Sequence, residues 1–65
     1  MINNNIKQLR TDLGITQEEL AVVCGVSRQT IIAIEKGNYI PSLLLALQLA
    51  EFFKLPIGKI FQLTT

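Results

Sequence analysis

Hydrophobic residues recur among polar ones along the middle of the chain with the spacing of short amphipathic helices. Leu20 and Cys24 lie four positions apart, and Ile31 and Ile34 lie three positions apart after one break. This spacing places the apolar side chains of each segment on one face of a helix. The pattern therefore predicts two short helices joined by a tight turn, a helix-turn-helix motif over about residues 17–37.

Both predicted helices are bounded by residues that start or stop a helix. Thr16 and Glu19 have the spacing of a capping box, in which each side chain bonds the backbone amide of the other residue. Ser27 can cap the second helix from the side of the turn. Gly25 and Gly37 follow the two helices, and glycine readily takes the positive φ that ends a helix. These signals predict sharp ends for both helices.

The second helix of the motif is expected to have an informative outer face. Because Ile31 and Ile34 point inward, five residues lie on the opposite surface. They are Arg28, Gln29, Ile32, Ala33 and Lys36. Exposed polar side chains on a helix are usually only solvated. This face therefore indicates a binding site only in the context of the helix-turn-helix motif.

Helical patterns continue on both sides of the motif. Apolar residues at helical spacing, beginning at Ile6, mark a first helix that Asn5 or a neighbour can cap and Gly14 can stop. Ser42 can cap the run 43–53, whose apolar residues are too numerous for one stripe and imply burial on more than one side. This run is predicted to be the central helix of the core.

A short fifth helix is expected near the C-terminus. Pro56 suits the first turn of a helix, and Ile57 and Ile60 begin its inner face. Residues 61–63 alternate weakly and are too few to be assigned as a strand. No linker or low-complexity segment interrupts the chain. The sequence therefore predicts an all-α fold of five helices in one domain of 65 residues.

Composition excludes several classes of chemistry. The chain has one cysteine, Cys24, and no histidine, so it lacks an internal disulfide, a His-dependent catalytic centre and the ligands of a zinc site. No nucleophile and base are paired, so neither an enzyme nor a cofactor or metal site is expected. For Cys24, a buried thiol is favoured over a redox sensor.

Charge and hydropathy bear on partners and location. The formal net charge is +1, so attraction to a nucleic acid must come from the local placement of charges and donors rather than from bulk charge. The N-terminal residues show no signal peptide, and no segment has the length to cross a membrane. A cytoplasmic protein is therefore expected.

The motif resembles the phage repressor and Cro type of bacterial regulators, the XRE family. The residues that carry this resemblance are Gln17, Leu20-Ala21, Gly25-Val26, Ser27, Ile31, Ile34-Glu35 and Gly37. The similarity extends from about Ile6 to Phe61. It implies a lambda-repressor-like five-helix domain that binds double-stranded DNA in a sequence-specific manner and regulates transcription, most simply as a repressor. Because the similarity covers nearly the whole of these 65 residues, no small-molecule ligand domain is expected.

The resemblance implies that the helix starting near Arg28 enters the major groove, where every base pair shows a distinct pattern of donors and acceptors. Gln29 can bond adenine, Arg28 can reach guanine or a phosphate, and Ala33 can touch a thymine methyl group. Ile32 either touches thymine methyl groups or packs beside the following loop. These four residues are the expected base contacts.

A second set of polar residues is expected to contact phosphates without reading the sequence. It comprises Gln17, Ser27, Thr30, Lys36, Asn38 and Tyr39. Gln17 lies at a helix N-terminus, where the helix dipole favours an anion, and Lys36 adds charge. For Asn38 and Tyr39 a purely structural turn, in which Tyr39 packs, is an equal alternative. The resemblance also implies a partly buried ion pair between Arg10 and Glu35, as against a solvated Arg10.

The small size of the chain and its apolar C-terminal residues predict a symmetric homodimer. The expected interface residues are Ile57, Ile60, Phe61 and Leu63. Two copies would read half-sites about 34 Å apart on DNA. The alternative is a protein-interaction module such as the antitoxin of a toxin–antitoxin pair, which the low net charge and the surplus of apolar residues favour.

Overall fold

The computed structural model describes residues 2–64, which surround one hydrophobic core. Four α-helices are framed by two short strands from the ends of the chain. The elements in chain order are β1 (Ile2–Asn4), α1 (Ile6–Asp12), α2 (Gln17–Cys24), α3 (Arg28–Glu35), α4 (Leu43–Phe53), a 3-10 helix (Ile57–Lys59) and β2 (Phe61–Leu63). The helix-turn-helix motif consists of α2, the turn after it and α3.

The capping residues inferred from the sequence start the helices as expected. Thr16 and Glu19 form the complete capping box: the Thr16 hydroxyl accepts from the Glu19 amide at 3.0 Å, and the Thr16 amide donates to the Glu19 carboxylate at 2.8 Å. Ser27 caps α3 and Ser42 caps α4, each by accepting a backbone N–H. Local side-chain chemistry thus satisfies amides that a helix leaves unpaired at its start.

Each of the four α-helices is followed by a residue with positive φ, which is a glycine after α1, α2 and α3 and a lysine after α4. Gly25 ends α2 with φ 69°, and the amide of Val26 donates to the Ala21 carbonyl at 3.0 Å, as in a Schellman motif. Lys54 ends α4 in the same left-handed region, with φ 57°. A side chain in this region has an energetic cost that glycine avoids. Leu55 and Pro56 indicate the end of α4 in the sequence, but nothing in the sequence marks Lys54 itself as left-handed.

The apolar faces of the helices meet in the core. The largest fully buried side chains are Ile6, Leu20, Ile31, Ile34, Leu49 and Ile60. Helix α4 adds Leu45 and Ala46 to its buried face. The core therefore contains both isoleucines that the pattern of α3 placed inward. The expectation that α4 is buried on more than one side was wrong, because Leu43, Leu44 and Leu47 on its other side are exposed.

Near the C-terminus the structure corrects the prediction of a fifth α-helix, and with it the count of five helices. The fifth element is a 3-10 helix of three residues, and the chain then enters β2. Strands β1 and β2 pair antiparallel, with Ile2 opposite Leu63 and Asn4 opposite Phe61. We call this pair of strands the terminal ribbon. The all-α prediction was wrong here because the pairing joins opposite ends of the chain, which local periodicity cannot reveal.

Within residues 2–64, none of the helices combines the length and the hydrophobicity needed to span a membrane.

Candidate nucleic-acid interface

The outer face of α3 is set by the burial of its inner face. Ile31 and Ile34 are fully buried, which turns Arg28 and Gln29 at the start of the helix towards solvent. Within residues 2–64 no hydrogen bond uses the side chain of Arg28 or Gln29, so the donors of both side chains face outward unengaged. The same face continues to Lys36, which is exposed. The structure thus brings these three polar side chains to one surface.

Ile32 and Ala33 lie on the flank of this face and are partly buried. Partial burial makes an isoleucine tolerable on a helix whose neighbours are solvated. Both alternatives for Ile32, contact with a ligand and packing beside the loop, are compatible with this half-exposed position.

Local charge on α3 is more favourable for an anion than the net charge of +1 indicates. Arg28 and Lys36 are exposed cations at its two ends. Glu35, the acidic residue of α3, points away from this face into an ion pair and its side chain is only 4% exposed. The outer face therefore presents positive charge without an exposed carboxylate of its own helix.

Ser27 and Thr30 form a pair of hydroxyl groups at the N-terminus of α3. Their oxygens are 3.0 Å apart, and the Ser27 hydroxyl also accepts from the Thr30 amide at 3.2 Å. One hydroxyl proton is used in the bond between the two side chains, so the other remains available as a donor. A helix N-terminus with a free O–H favours an anion such as a phosphate.

A buried polar cluster holds α1, α2 and α3 together at the end of α3. Arg10 Nε donates to Glu35 Oε2 at 2.7 Å, and Arg10 Nη1 donates to the Ile15 carbonyl at 2.9 Å. Gln17 Nε2 donates to Glu35 Oε1 at 3.0 Å. The Arg10 and Glu35 side chains are 10% and 4% exposed, so the ion pair is not a solvated contact. Such pairs define geometry more than they add stability.

Gln17 has a structural role that the sequence did not indicate. Its side chain was expected to face a phosphate, whereas the structure places its amide nitrogen on Glu35. The amide nitrogen has two N–H groups, so one donor remains after this bond. Gln17 therefore links the first helix of the motif to the second and keeps one donor free.

The loop after α3 presents two more of the expected phosphate contacts. Asn38 and Tyr39 are exposed, and Tyr39 keeps 47% of its accessible surface. The backbone amide of Asn38 donates to the Ala33 carbonyl at 2.9 Å and so closes α3. Tyr39 also lines a shallow groove with Thr30 and Leu44. Its ring thus packs partly against the protein while remaining accessible.

Sequence reasoning missed Asn4. Its Nδ2 donates to the Ile34 carbonyl in α3 at 2.9 Å, and its Oδ1 accepts from the amide of Ile6 at 3.1 Å. The cap of α1 is therefore supplied by the side chain of Asn4, whereas that of Asn5 makes no cap bond. A capping neighbour of Asn5 was allowed for, but the bond to α3 has no local signal because it spans 30 positions.

The expected interface residues of a dimer do not all lie at the surface. Leu63 is 84% exposed and Ile57 is 38% exposed, but Ile60 is fully buried in the core. The prediction for Ile60 was wrong, because its side chain is fully buried in the core and is not exposed to another molecule. Phe61 is partly buried.

An apolar groove lies beside the terminal ribbon. Its lining residues are Ile2, Ile40, Pro41, Leu43, Ala46, Ile57 and Phe61. Ile40 and Leu43 are 66% and 72% exposed, so the apolar surface extends beyond the residues named from the sequence. We call this surface the apolar groove.

Cys24 lies on the buried face of α2, and its environment is apolar. Burial raises the pKa of the Cys24 thiol above its ordinary value. A thiol in this state is a weak nucleophile at neutral pH. Among the side chains of residues 2–64, no group of three or more His, Cys, Asp or Glu is placed to hold a metal ion.

Comparison with known proteins places the chain in a family. A family profile described as "Helix-turn-helix" matches residues 6–60. The chain is 47% identical over 62 residues to YgzD of Bacillus subtilis, an uncharacterized HTH-type transcriptional regulator, covering 95% of this chain and 94% of the relative. It is 37% identical over 60 residues to RstR, a transcriptional repressor of the cryptic phage CTXphi in Vibrio cholerae, covering 92% and 54% of the two chains.

A solved structure shows the same architecture. The restriction-modification controller protein C.AhdI from Aeromonas hydrophila superposes with a TM-score of 0.75 at 31% identity, over 83% of this chain and 82% of that chain. With the profile match across most of the chain and the close relatives, this similarity covers the motif and the helices that support it. The chain belongs to the XRE-type family of helix-turn-helix transcriptional regulators, which are DNA-binding proteins.

Proposed function

We propose that this protein is a sequence-specific repressor that reads the major groove of double-stranded DNA with α3. The observation that carries the proposal is the outer face of α3, where Arg28, Gln29 and Lys36 are exposed above a fully buried inner face. An α-helix with its side chains has the width that the major groove admits. The relative RstR is named a transcriptional repressor, which supports this direction of regulation.

In this proposal the start of α3 reads bases. Gln29 bonds N6 and N7 of an adenine, and Arg28 bonds O6 and N7 of a guanine or an adjacent phosphate. Ala33 lies one turn after Gln29 and contacts a thymine methyl group, with Ile32 beside it. Each bidentate contact discriminates against a wrong base by about 1–3 kcal/mol.

Phosphate contacts position the helix in the groove. The free hydroxyl proton of the Ser27 and Thr30 pair and the second N–H of Gln17 supply neutral donors. Lys36 supplies charge, and Asn38 and Tyr39 extend the contact along the backbone. These donors carry no sequence information, but they fix the register of α3. They also compensate for the low net charge of the chain, because local donors and charges then attract the phosphates in place of bulk charge.

The active species in this proposal is a homodimer formed through the apolar groove with Leu63. A lone two-stranded ribbon is marginally stable in water, and a chain of 65 residues buries a limited core, so association stabilises both. A two-fold pair places two α3 helices on half-sites about one DNA turn apart. It also doubles the phosphate contacts.

Sedimentation equilibrium tests the dimer. The parent is expected to be dimeric at micromolar concentration, and Ile57→Asp is expected to be monomeric because a charge then lies in the apolar groove. Val22→Asp is the matched control, since Val22 is 72% exposed on α2 and outside the groove. A parent that is monomeric alone and binds its operator as one copy would contradict the dimer.

The central test of DNA reading is Gln29→Ala, measured on an operator obtained by selection from random duplexes. We expect a loss of about 1–3 kcal/mol of binding free energy per half-site and relaxed preference at one base pair. The melting temperature should be unchanged, because Gln29 is exposed and its truncation leaves no cavity.

Lys36→Ala is the matched control for a contact that carries charge alone. It should weaken binding to operator and scrambled duplexes alike and flatten the log–log salt dependence by about one unit per site. If Gln29→Ala binds the operator as tightly and as selectively as the parent, α3 does not read the bases.

A transcription assay tests the direction of regulation. Transcription from a promoter that carries the operator should fall when the parent is expressed, and a rise instead would exclude repression.

A second candidate is a protein-interaction module such as an antitoxin. It is favoured by exposed apolar residues away from the apolar groove, of which Val22 is 72%, Val23 55% and Leu44 68% exposed. Surfaces of this kind mark protein contacts when they are contiguous. A salt titration separates the two candidates, because DNA recognition gives a steep slope whereas a module that binds only protein gives none.

A further inference from the structure

We propose that Asn4 is a positioning residue that fixes the C-terminal end of α3 to the terminal ribbon, and that operator selectivity depends on this link. The inference rests on the proposed reading of DNA by α3. It adds a residue from outside the helix-turn-helix motif to the machinery of recognition.

The Asn4 side chain uses a donor and an acceptor at the same time. Nδ2 donates to the Ile34 carbonyl at 2.9 Å, and Oδ1 accepts from the Ile6 amide at 3.1 Å. The Ile34 carbonyl already accepts from the amide of Gly37 at 2.9 Å, so its oxygen is held from two sides. A carboxylate of the same shape keeps the acceptor but has no donor for a carbonyl oxygen.

The backbone of Asn4 belongs to the terminal ribbon. Asn4 pairs with Phe61 in β2, and the next amide, that of Asn5, donates to the Ile60 carbonyl at 3.1 Å. Ile60 is fully buried. The ribbon is thus joined to the core beside Ile60 and through Phe61, and the Asn4 side chain hydrogen-bonds it to the end of α3.

The two anchors of α3 lie at the same end of the helix. Glu35 joins it to Arg10 and Gln17, and Ile34 joins it to the ribbon through Asn4. Both links act just before the chain leaves α3, so together they restrict the tilt of the helix relative to the rest of the protein. The direction in which Arg28 and Gln29 point therefore depends on both.

The test compares Asn4→Asp with Asn3→Asp. The two variants add the same charge at adjacent positions, but Asn3 is exposed whereas Asn4 is partly buried. Affinities for the selected operator and for a scrambled duplex are measured at a temperature where circular dichroism shows the variants folded. We expect Asn4→Asp to lower the ratio of operator to scrambled affinity about tenfold, the equivalent of one weakened base contact. Asn3→Asp should lower both affinities equally and leave the ratio unchanged.

Asn4→Leu provides a second variant if the carboxylate prevents folding. It is neutral and similar in shape, and it is compared with Ser42→Ala, which removes one capping bond from α4. The same tenfold loss of selectivity is expected for Asn4→Leu and none for Ser42→Ala. Equal selectivity of the Asn4 variants and their controls would overturn the inference, as would loss of folding in both Asn4 variants, since Asn4 would then support the whole fold. A parent without selectivity would instead refute the proposed function.

Discussion

The helix-turn-helix motif and the terminal ribbon are built from different kinds of information. The ends of α2 and α3 are marked by Thr16, Gly25 and Ser27, each of which acts on residues within one helical turn. Strands β1 and β2 come from opposite ends of the chain and meet only in the folded protein. The motif can therefore be predicted from the sequence, whereas the ribbon forms because the core brings the chain ends together.

The comparison also shows that the motif is not self-sufficient. Its second helix is held by Arg10 from α1 and by Asn4 from β1, both outside the motif. Locally encoded helices thus acquire their mutual orientation from residues distant along the chain.

Arg10→Met tests whether the motif depends on α1. The substitution keeps an apolar stem and leaves Glu35 buried without its cation, which is expected to cost about 3–5 kcal/mol of unfolding free energy. Urea denaturation followed by circular dichroism measures the loss. The double variant Arg10→Met/Glu35→Gln should recover part of it, because no buried charge then remains. An unchanged midpoint for Arg10→Met would show that the pair does not support the fold.

Ile31→Ala and Ile60→Ala compare the core contributions of the motif and of the chain end. Both side chains are fully buried, so each truncation should lower the unfolding free energy by about 2–5 kcal/mol. Thermal melts would show this loss, and Val22→Ala, on the exposed side of α2, should stay within about 0.5 kcal/mol of the parent. A small effect for Ile60→Ala would mean that the chain end is loosely attached.

Gly25→Ala and Gly58→Ala separate a turn that needs a positive φ from one that does not. Neither added Cβ meets an atom within 4 Å, and only Gly25 has a positive φ. Gly25→Ala should therefore destabilise by about 1–2 kcal/mol through the backbone alone. Gly58→Ala should be neutral or stabilising by up to about 1 kcal/mol. Equal denaturant midpoints for the two variants would contradict this explanation.

Ionisation of the Cys24 thiol is expected to lower the stability of the fold modestly at alkaline pH. Burial raises the pKa of the thiol in the folded protein, so the unfolded chain loses its proton first as the pH rises. The contribution of Cys24 to stability is fully present below the ordinary pKa and disappears as the pH rises through the raised one. Unfolding midpoints of the parent and of Cys24→Ala should therefore converge or cross above about pH 9. Parallel profiles would place the thiol in water.

Much of the candidate site could be predicted from the sequence. The inward placement of Ile31 and Ile34 was predicted from their spacing, and it leaves Arg28 and Gln29 exposed as expected. The role of Gln17 could not be predicted in the same way. Its helix position indicated an available donor, but its partner Glu35 lies 18 positions away and is identified only by the packing of α2 on α3.

The sequence alone determined the bounds of α2 and α3 and which face of each is buried, because caps, glycine turns and helical spacing act over a few residues. Tertiary structure decided the terminal ribbon, the burial of Ile60 and the bond from Asn4 to α3. Each of these joins residues that are far apart along the chain. Their distance depends on how the helices pack around the core, and no local preference encodes that packing.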